Sequence, residues 1–280
     1  MRGRRAAQMG VRLQLLALAA LAAAAPPRVE LTYFKTRGLA EPIRLALHDA
    51  GVAFEEVVVG TGDRAEFGEV DWDIANPEGI ASGDLPFGQV PRLSFKDEHE
   101  PVHNIVQSRA ILQFVGRRYG YYSFGGERSD SVIDMVMSAC EDISKAFSSK
   151  LVYNDDFEAN KKQYFEEYMP QQLEFLDALL LRGGQKFFAD RVSMADFMVF
   201  DILDKHTRVS LSLLDRFPKL RMHAARVASR PRLRKYLESS SRVGHNGWSG
   251  RVDSIEKPGP GADHLKNIFK QIELMGAHEL

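Results

Sequence analysis

The sequence predicts an α/β unit followed by an all-helical domain, on three observations. Residues 29–59 read strand, helix, strand; a strand restarts directly behind Pro91; and beyond Asp130 every periodic segment has helical spacing. Val29–Phe34 is a β-branched and aromatic run, as a strand requires. Glu41-Pro42 suits the first turn of a helix, Ile43, Leu47 and Ala50 keep helical spacing, and Gly51 closes it. Phe54–Val59 returns to strand character, so the first two strands should be parallel with a crossover helix. Gly60–Gly88 is read as loop with a short helix near Trp72. Val90–Phe95 restarts a strand, and His103–Ser108 leads into the helical stripe Ala110, Ile111, Phe114, Val115.

Tyr119–Asp130, rich in glycine and serine, is read as a connector. Val132, Val136, Cys140, Ile143 and Phe147 form one helical stripe behind it. Phe165, Met169, Leu173, Leu176 and Leu180 form a second, with a kink expected at Pro170. Ser193-x-x-Asp196 reads as a capping box ahead of the strongly apolar Phe197–Leu203, which assigns Asp196 to folding rather than chemistry. Phe217–Ala228 and Pro231–Leu237 add two short helices, and Leu265–Leu274 is weakly amphipathic. The expected division is therefore 1–27 targeting segment, 28–118 α/β domain, 119–130 linker, 131–240 helical domain and 241–280 extension.

Composition excludes several classes. The 280 residues are 44% apolar and 27% charged with a net charge of −1, so no overall basic balance points to nucleic acid. Residues 1–25 hold Arg2, Arg4, Arg5 and Arg12 and no acid, ahead of an apolar run that closes in alanines. That pattern fits a secretory signal peptide or an organelle transit peptide, with a cytoplasmic location as the alternative, and the run is too short to span a bilayer. One cysteine, Cys140, excludes an intrachain disulfide, and eight scattered histidines lack paired ligand spacing, so no metal is expected.

Chemistry enters through the order of three clusters. Tyr33 ends the first strand and Arg37 stands before the helix. A hydroxyl there can donate to a sulfur bound at the helix N-terminus, favouring the thiolate. Lowering a thiol from about 8.5 to near neutral takes roughly 2.7 kcal/mol; taken alone, Tyr33 also reads as a packed strand aromatic. Gln89-Val90-Pro91 opens a strand, where a cis X–Pro bond would leave backbone groups free for an extended peptide, or where an edge proline binds nothing. Gln107-Ser108 begins a helix and suits a carboxylate, or simply caps it.

Leu31-Thr32-Tyr33-Phe34, Arg37–Glu41, Leu85–Pro91 and Gln107–Ile111 together resemble the glutathione transferases of the tyrosine type, most closely the sigma class, over residues 29–238. The resemblance implies a thioredoxin-like N-terminal domain, an all-α C-terminal domain and a homodimer. It implies conjugation of glutathione, as co-substrate, to small hydrophobic electrophiles, with no other cofactor. Alternatives are a prostaglandin-D-synthase-like isomerase using the same site and a non-catalytic ligand-binding relative. Carried over by position, Tyr33 holds the thiolate and Arg37 supports it. Trp72 lines the glycyl end, Gln89, Val90 and cis-Pro91 bind the peptide backbone, and Gln107 and Ser108 take the γ-glutamyl carboxylate. Asp142 reaches the γ-glutamyl amine across the dimer. The sequence departs from the family at Asn76, where a lysine is typical, leaving Arg64 as an alternative cation.

Overall fold

A computed structural model describes residues 27–60, 70–98, 100–154, 156–182, 186–210 and 212–242. Strand β1 (Arg28–Phe34) runs into a short 3-10 turn at Gly38–Ala40, then helix α1 (Glu41–Ala50) and strand β2 (Glu55–Gly60). Strand β3 (Val70–Asp71) and helix α2 (Trp72–Ser82) follow, then β4 (Arg92–Lys96), β5 (His103–Val106) and α3 (Ser108–Tyr119). The sheet order is β3-β2-β1-β4-β5. β1 pairs parallel to β2, with Tyr33 opposite Val58, and antiparallel to β4, with Leu31 opposite Leu93. The parallel pair and its crossover helix are those expected from residues 29–59.

Gly51 ends α1 at φ 73°, a left-handed conformation that costs a glycine nothing sterically, and its N–H turns back to the carbonyls of Leu47 and His48. Ile43 and Leu47 of α1 share one hydrophobic core with Leu31 and Leu93 of the sheet, all fully buried. Burial of each such side chain contributes about 1.5–3 kcal/mol. The short helix expected near Trp72 is present as α2, an 11-residue helix containing Pro77. Asp71 caps it by accepting from the Asp73 N–H at 2.9 Å, so the helix starts on a local signal despite its proline.

The helical domain comprises α4 (Gly126–Phe147), α5 (Phe157–Gln163), α6 (Met169–Arg182), α7 (Met194–Val209), α8 (Pro218–Ser229) and α9 (Pro231–Leu237). α4 starts inside the stretch read as a connector, because Gly126–Asp130 already makes its first turn and buries Ser129. The connection is therefore residues 120–125. Ahead of Pro170 the chain widens into a π-helical turn, Tyr164–Tyr168. Proline removes one N–H from the ladder, and a π turn accommodates that loss at the position where a kink was expected.

α7 is the central post, buried at every residue from Met194 to Thr207. Its capping box has both bonds: Asp196 Oδ2 accepts from the Ser193 N–H at 2.8 Å, and the Ser193 side chain answers the N3 backbone. Asp196 Oδ1 also takes the His223 Nε2 at 2.7 Å, tying α8 to α7. Across the domains, Asp49 of α1 receives Arg230 through Nε at 2.8 Å and Nη2 at 2.7 Å, and Tyr121 through its hydroxyl at 2.7 Å. Among the described residues no helix is long and apolar enough to cross a membrane. The expected targeting segment, apart from its last residue Pro27, and the Leu265–Leu274 helix lie outside the described residues.

Candidate active site

A cavity of about 400 Å³ opens between the loop after β1, the start of α3, and helices α4 and α7. Tyr33 stands on its wall, 9% exposed. Its hydroxyl oxygen accepts a hydrogen bond from the Leu39 N–H at 3.1 Å. Burial pushes the phenol above its usual pKa, with the Leu39 amide opposing and Arg44 opposing less. The hydroxyl therefore keeps its proton near neutral pH; the Leu39 amide and the Thr36 side chain both engage it, and its proton can still be donated to an acceptor in the cavity. Gly38 makes this contact feasible. It lies at φ 40°, and a Cβ there would stand 2.6 Å from the Tyr33 hydroxyl.

The loop is gripped from beneath. Arg44 donates through Nη1 to the carbonyls of Thr36 at 3.0 Å and Arg37 at 3.3 Å. Glu41, whose carboxyl is held below the usual range by Arg242 and Arg44 against its burial, receives Arg242 at 2.9 Å and the Tyr236 hydroxyl at 3.0 Å. Arg37 belongs to this network, which corrects its expected place beside a thiolate. Its guanidinium is 0% exposed, lies off the cavity wall and binds Asp204 of α7 at 2.8 Å. A guanidinium without solvent needs a buried counter-charge, and Asp204, 167 residues away, provides it.

Ser108 opens α3 on the cavity wall, where the first-turn N–H groups of the helix lack carbonyl partners. Gln107 precedes it at φ 72°, a backbone region that L residues rarely adopt. Its Nε2 donates to Gln89 Oε1 at 2.9 Å, which joins two of the expected binding segments. The Val90–Pro91 bond is cis. Val90 lies outside the strand registers, and its N–H and C=O enter no backbone hydrogen bond among the described residues. Such an unpaired rung beside β4 is what an extended peptide can pair with.

Trp72 is the first residue of α2, and its side chain, like Arg64, lies outside what the structure describes. Asn76 turns its Oδ1, buried and unpartnered, toward Gly88, where a Cβ would lie 3.1 Å from it. Asp142 is exposed on α4 and off the cavity wall. Cys140 is fully buried at the cavity floor, and burial pushes its thiol pKa up, so it stays protonated and inert. A second groove, about 530 Å³ and lined by Lys150, Glu166, Glu167 and Arg216, contains none of the expected residues.

The sequence reading missed two features of the cavity. One is the Leu39 amide, a backbone group with no side-chain signature. The other is an ionic pair within the apolar helix α7, Lys205 Nζ to Asp201 Oδ2 at 3.0 Å, with Nζ also donating to Ser144 Oγ of α4 at 3.2 Å. The i,i+4 spacing of Asp201 and Lys205 was the available signal.

Models of the glutathione S-transferase N-terminal and C-terminal domains match residues 29–117 and 141–240. Glutathione S-transferase P 1 of Xenopus laevis is 31% identical over 223 residues, covering 77% of this chain and 94% of that relative. Glutathione S-transferase P of Bos taurus is 32% identical over 216 residues, covering 76% and 93%. Among solved structures, the Onchocerca volvulus Pi-class glutathione S-transferase matches with TM-score 0.62 at 31% identity, covering 75% of this chain and 92% of that one. The Fasciola hepatica sigma class enzyme matches with TM-score 0.65 at 26% identity, covering 77% and 98%.

Proposed function

The chain belongs to the glutathione S-transferase family and is an enzyme of glutathione conjugation, and we propose that Tyr33 is the group that activates the thiol. The observation that carries this is the Tyr33 hydroxyl on the cavity wall, its oxygen engaged by the Leu39 amide and the Thr36 side chain, so that its proton can be donated to a sulfur in the cavity. A thiolate accepting that proton is favoured over the thiol, and the nucleophile persists at neutral pH. The attack forms a carbon–sulfur bond and expels a leaving group, or adds across a conjugated double bond that then takes a proton. Proximity and thiolate stabilisation are the protein's contributions.

Binding follows from the same geometry. Ser108 and the α3 N-terminus take the γ-glutamyl carboxylate, Gln107 and Gln89 brace that edge, and the Val90 backbone pairs with the tripeptide. Arg37 supports the site from below through Asp204 rather than by contact. Trp72 at the glycyl end and Asp142 reaching a partner subunit stand as further binding assignments. A homodimer is supported by Phe87 and Met135, apolar side chains 68% and 52% exposed that a second copy would cover. Placement in the sigma class rests on the Tyr33, Leu85–Pro91 and Gln107–Ile111 motifs and on the fold match to the Fasciola hepatica enzyme, against relatives that carry the P name. The electrophile is a small hydrophobic molecule, and residues 1–27 address the chain to the secretory pathway or an organelle.

The test combines calorimetric titration of glutathione with conjugation of a generic aryl halide. Wild type should bind and turn over, and Tyr33→Phe should bind with its rate reduced roughly ten- to a thousandfold, as on loss of one oxyanion donor. A Tyr33→Phe rate equal to wild type would remove Tyr33 from this role.

A further inference from the structure

Thr36 follows Tyr33 by three residues, at the turn that leaves β1. The turn is tight, for the Thr36 N–H donates to the Phe34 carbonyl at 2.6 Å. Arg44 Nη1 donates to the Thr36 carbonyl at 3.0 Å, so the residue is pinned through both of its backbone groups. Its β-branched side chain is stiff about χ1, and the residue stands on the cavity wall with Tyr33, only 2% exposed. Held in this way, the Thr36 hydroxyl engages the Tyr33 hydroxyl from the same loop that presents the Leu39 N–H at 3.1 Å. The neighbouring guanidinium groups are committed elsewhere. Asp204 holds Arg37 off the cavity wall, and Arg44 spends Nε on Glu56 at 2.7 Å and Nη1 on the loop carbonyls.

We propose that Thr36 is a positioning residue for glutathione conjugation, its hydroxyl turned toward the phenolic oxygen so that the Tyr33 proton is left for the sulfur. A threonine hydroxyl offers one proton and two lone pairs and rotates to suit its partner. Against the phenol alone it can serve as acceptor or as donor. Once a thiolate takes the phenolic hydrogen bond, only the donor role toward Tyr33 remains, and the Thr36 proton goes to the Tyr33 oxygen. A hydroxyl whose oxygen accepts from two donors, here Thr36 and the Leu39 N–H, is polarised into a stronger donor itself. Each proton stays on its own oxygen, so Thr36 acts through Tyr33 and needs no contact with glutathione. The effect on the thiolate is that of one more hydrogen bond to the site of developing charge, relayed through the phenol.

This inference rests on the reading of Tyr33 above, and the two fail differently. Ionisation of bound glutathione is followed on the full chain by ultraviolet difference absorption of the thiolate. Thr36→Val keeps the branched shape without the hydroxyl, and the bound thiol should titrate about half a unit to one unit higher than in wild type, as on loss of one neutral hydrogen bond. Thr36→Ala, which also lacks the hydroxyl, should give the same rise and serves where Thr36→Val packs badly. Thr36→Ser keeps the hydroxyl and should titrate within about 0.2 unit of wild type. In a Tyr33→Phe background Thr36→Val should move the thiol by less than about 0.2 unit, since no phenolic oxygen is there to engage. An unchanged titration in the folded hydroxyl-free variants overturns the proposal, as does a Thr36→Ser protein that titrates like Thr36→Val. An equal shift in the Tyr33→Phe background also overturns it, by placing Thr36 on the sulfur directly. A bound thiol that titrates alike in wild type and Tyr33→Phe overturns the reading of Tyr33 and this proposal with it.

Discussion

The Leu39 amide donates to the Tyr33 hydroxyl across 3.1 Å, and this bond helps decide what Tyr33 can do. A phenol whose oxygen is engaged in this way can still donate its proton into the cavity, and burial keeps that proton in place near neutral pH. Gly38, between the two residues, permits the approach.

Gly38→Ala should therefore disturb the site more than the fold. The new Cβ would fall 2.6 Å from the Tyr33 hydroxyl at a backbone φ of 40°. We expect kcat to drop at least about tenfold, with a stability loss of about 1–2 kcal/mol from the left-handed conformation alone. Steady-state kinetics beside urea denaturation measure the two effects separately.

Arg37 should behave as a structural residue. Arg37→Met removes one of the arginines on buried Asp204, which keeps Arg242 at 2.9 Å, and should cost about 1.5–3 kcal/mol in urea denaturation. The rate per folded molecule should change by less than about tenfold, under 1.4 kcal/mol of transition-state stabilisation. A large rate loss with unaltered stability would return Arg37 to the cavity.

Ser108→Ala should weaken ground-state binding. Loss of one hydrogen bond to a charged group corresponds to about 1.5–3 kcal/mol, so KM for glutathione should rise roughly ten- to a hundredfold with kcat little changed.

His206 makes stability depend on pH. Burial first, and then the Lys205 charge, push its imidazole down to about 3 from an ordinary 6.5. Between those values the unfolded chain binds a proton that the folded chain refuses, so this contribution is full above about pH 6.5 and falls as pH drops. The slope from this group is at most about 1.4 kcal/mol per pH unit. His206→Gln, whose amide can still face Tyr164 and the Ile202 carbonyl, should flatten the loss between about pH 6.5 and about pH 5, read from urea midpoints.

Much of the frame was legible because its signals are local. The β-branched run at Val29–Phe34, the Glu41-Pro42 start, Gly51 and the Ser193-x-x-Asp196 box act within a few residues of themselves, and each folds as its chemistry suggests. What was not legible depends on distant partners. Arg37 stands beside a presumed ligand site in sequence, and nothing near it reveals that Asp204 will claim its charge. The Leu39 N–H carries no residue signature at all. Asp201 was absorbed into the apolar run Phe197–Leu203, whose other residues outweigh it, and Lys205 lies beyond the end of that run. The extent of helix α2 past Pro77 was not legible because that proline and the surrounding glycines suggest a loop, while its start near Trp72 was legible.

The most direct test of Tyr33 as the thiol-activating donor is the ionisation of enzyme-bound glutathione, followed by ultraviolet difference absorption of its thiolate across a pH series. With wild type the bound thiol should titrate about two units below its ordinary value near 8.5, and in Tyr33→Phe it should return most of the way. A bound thiol that titrates identically in the two proteins would contradict the account.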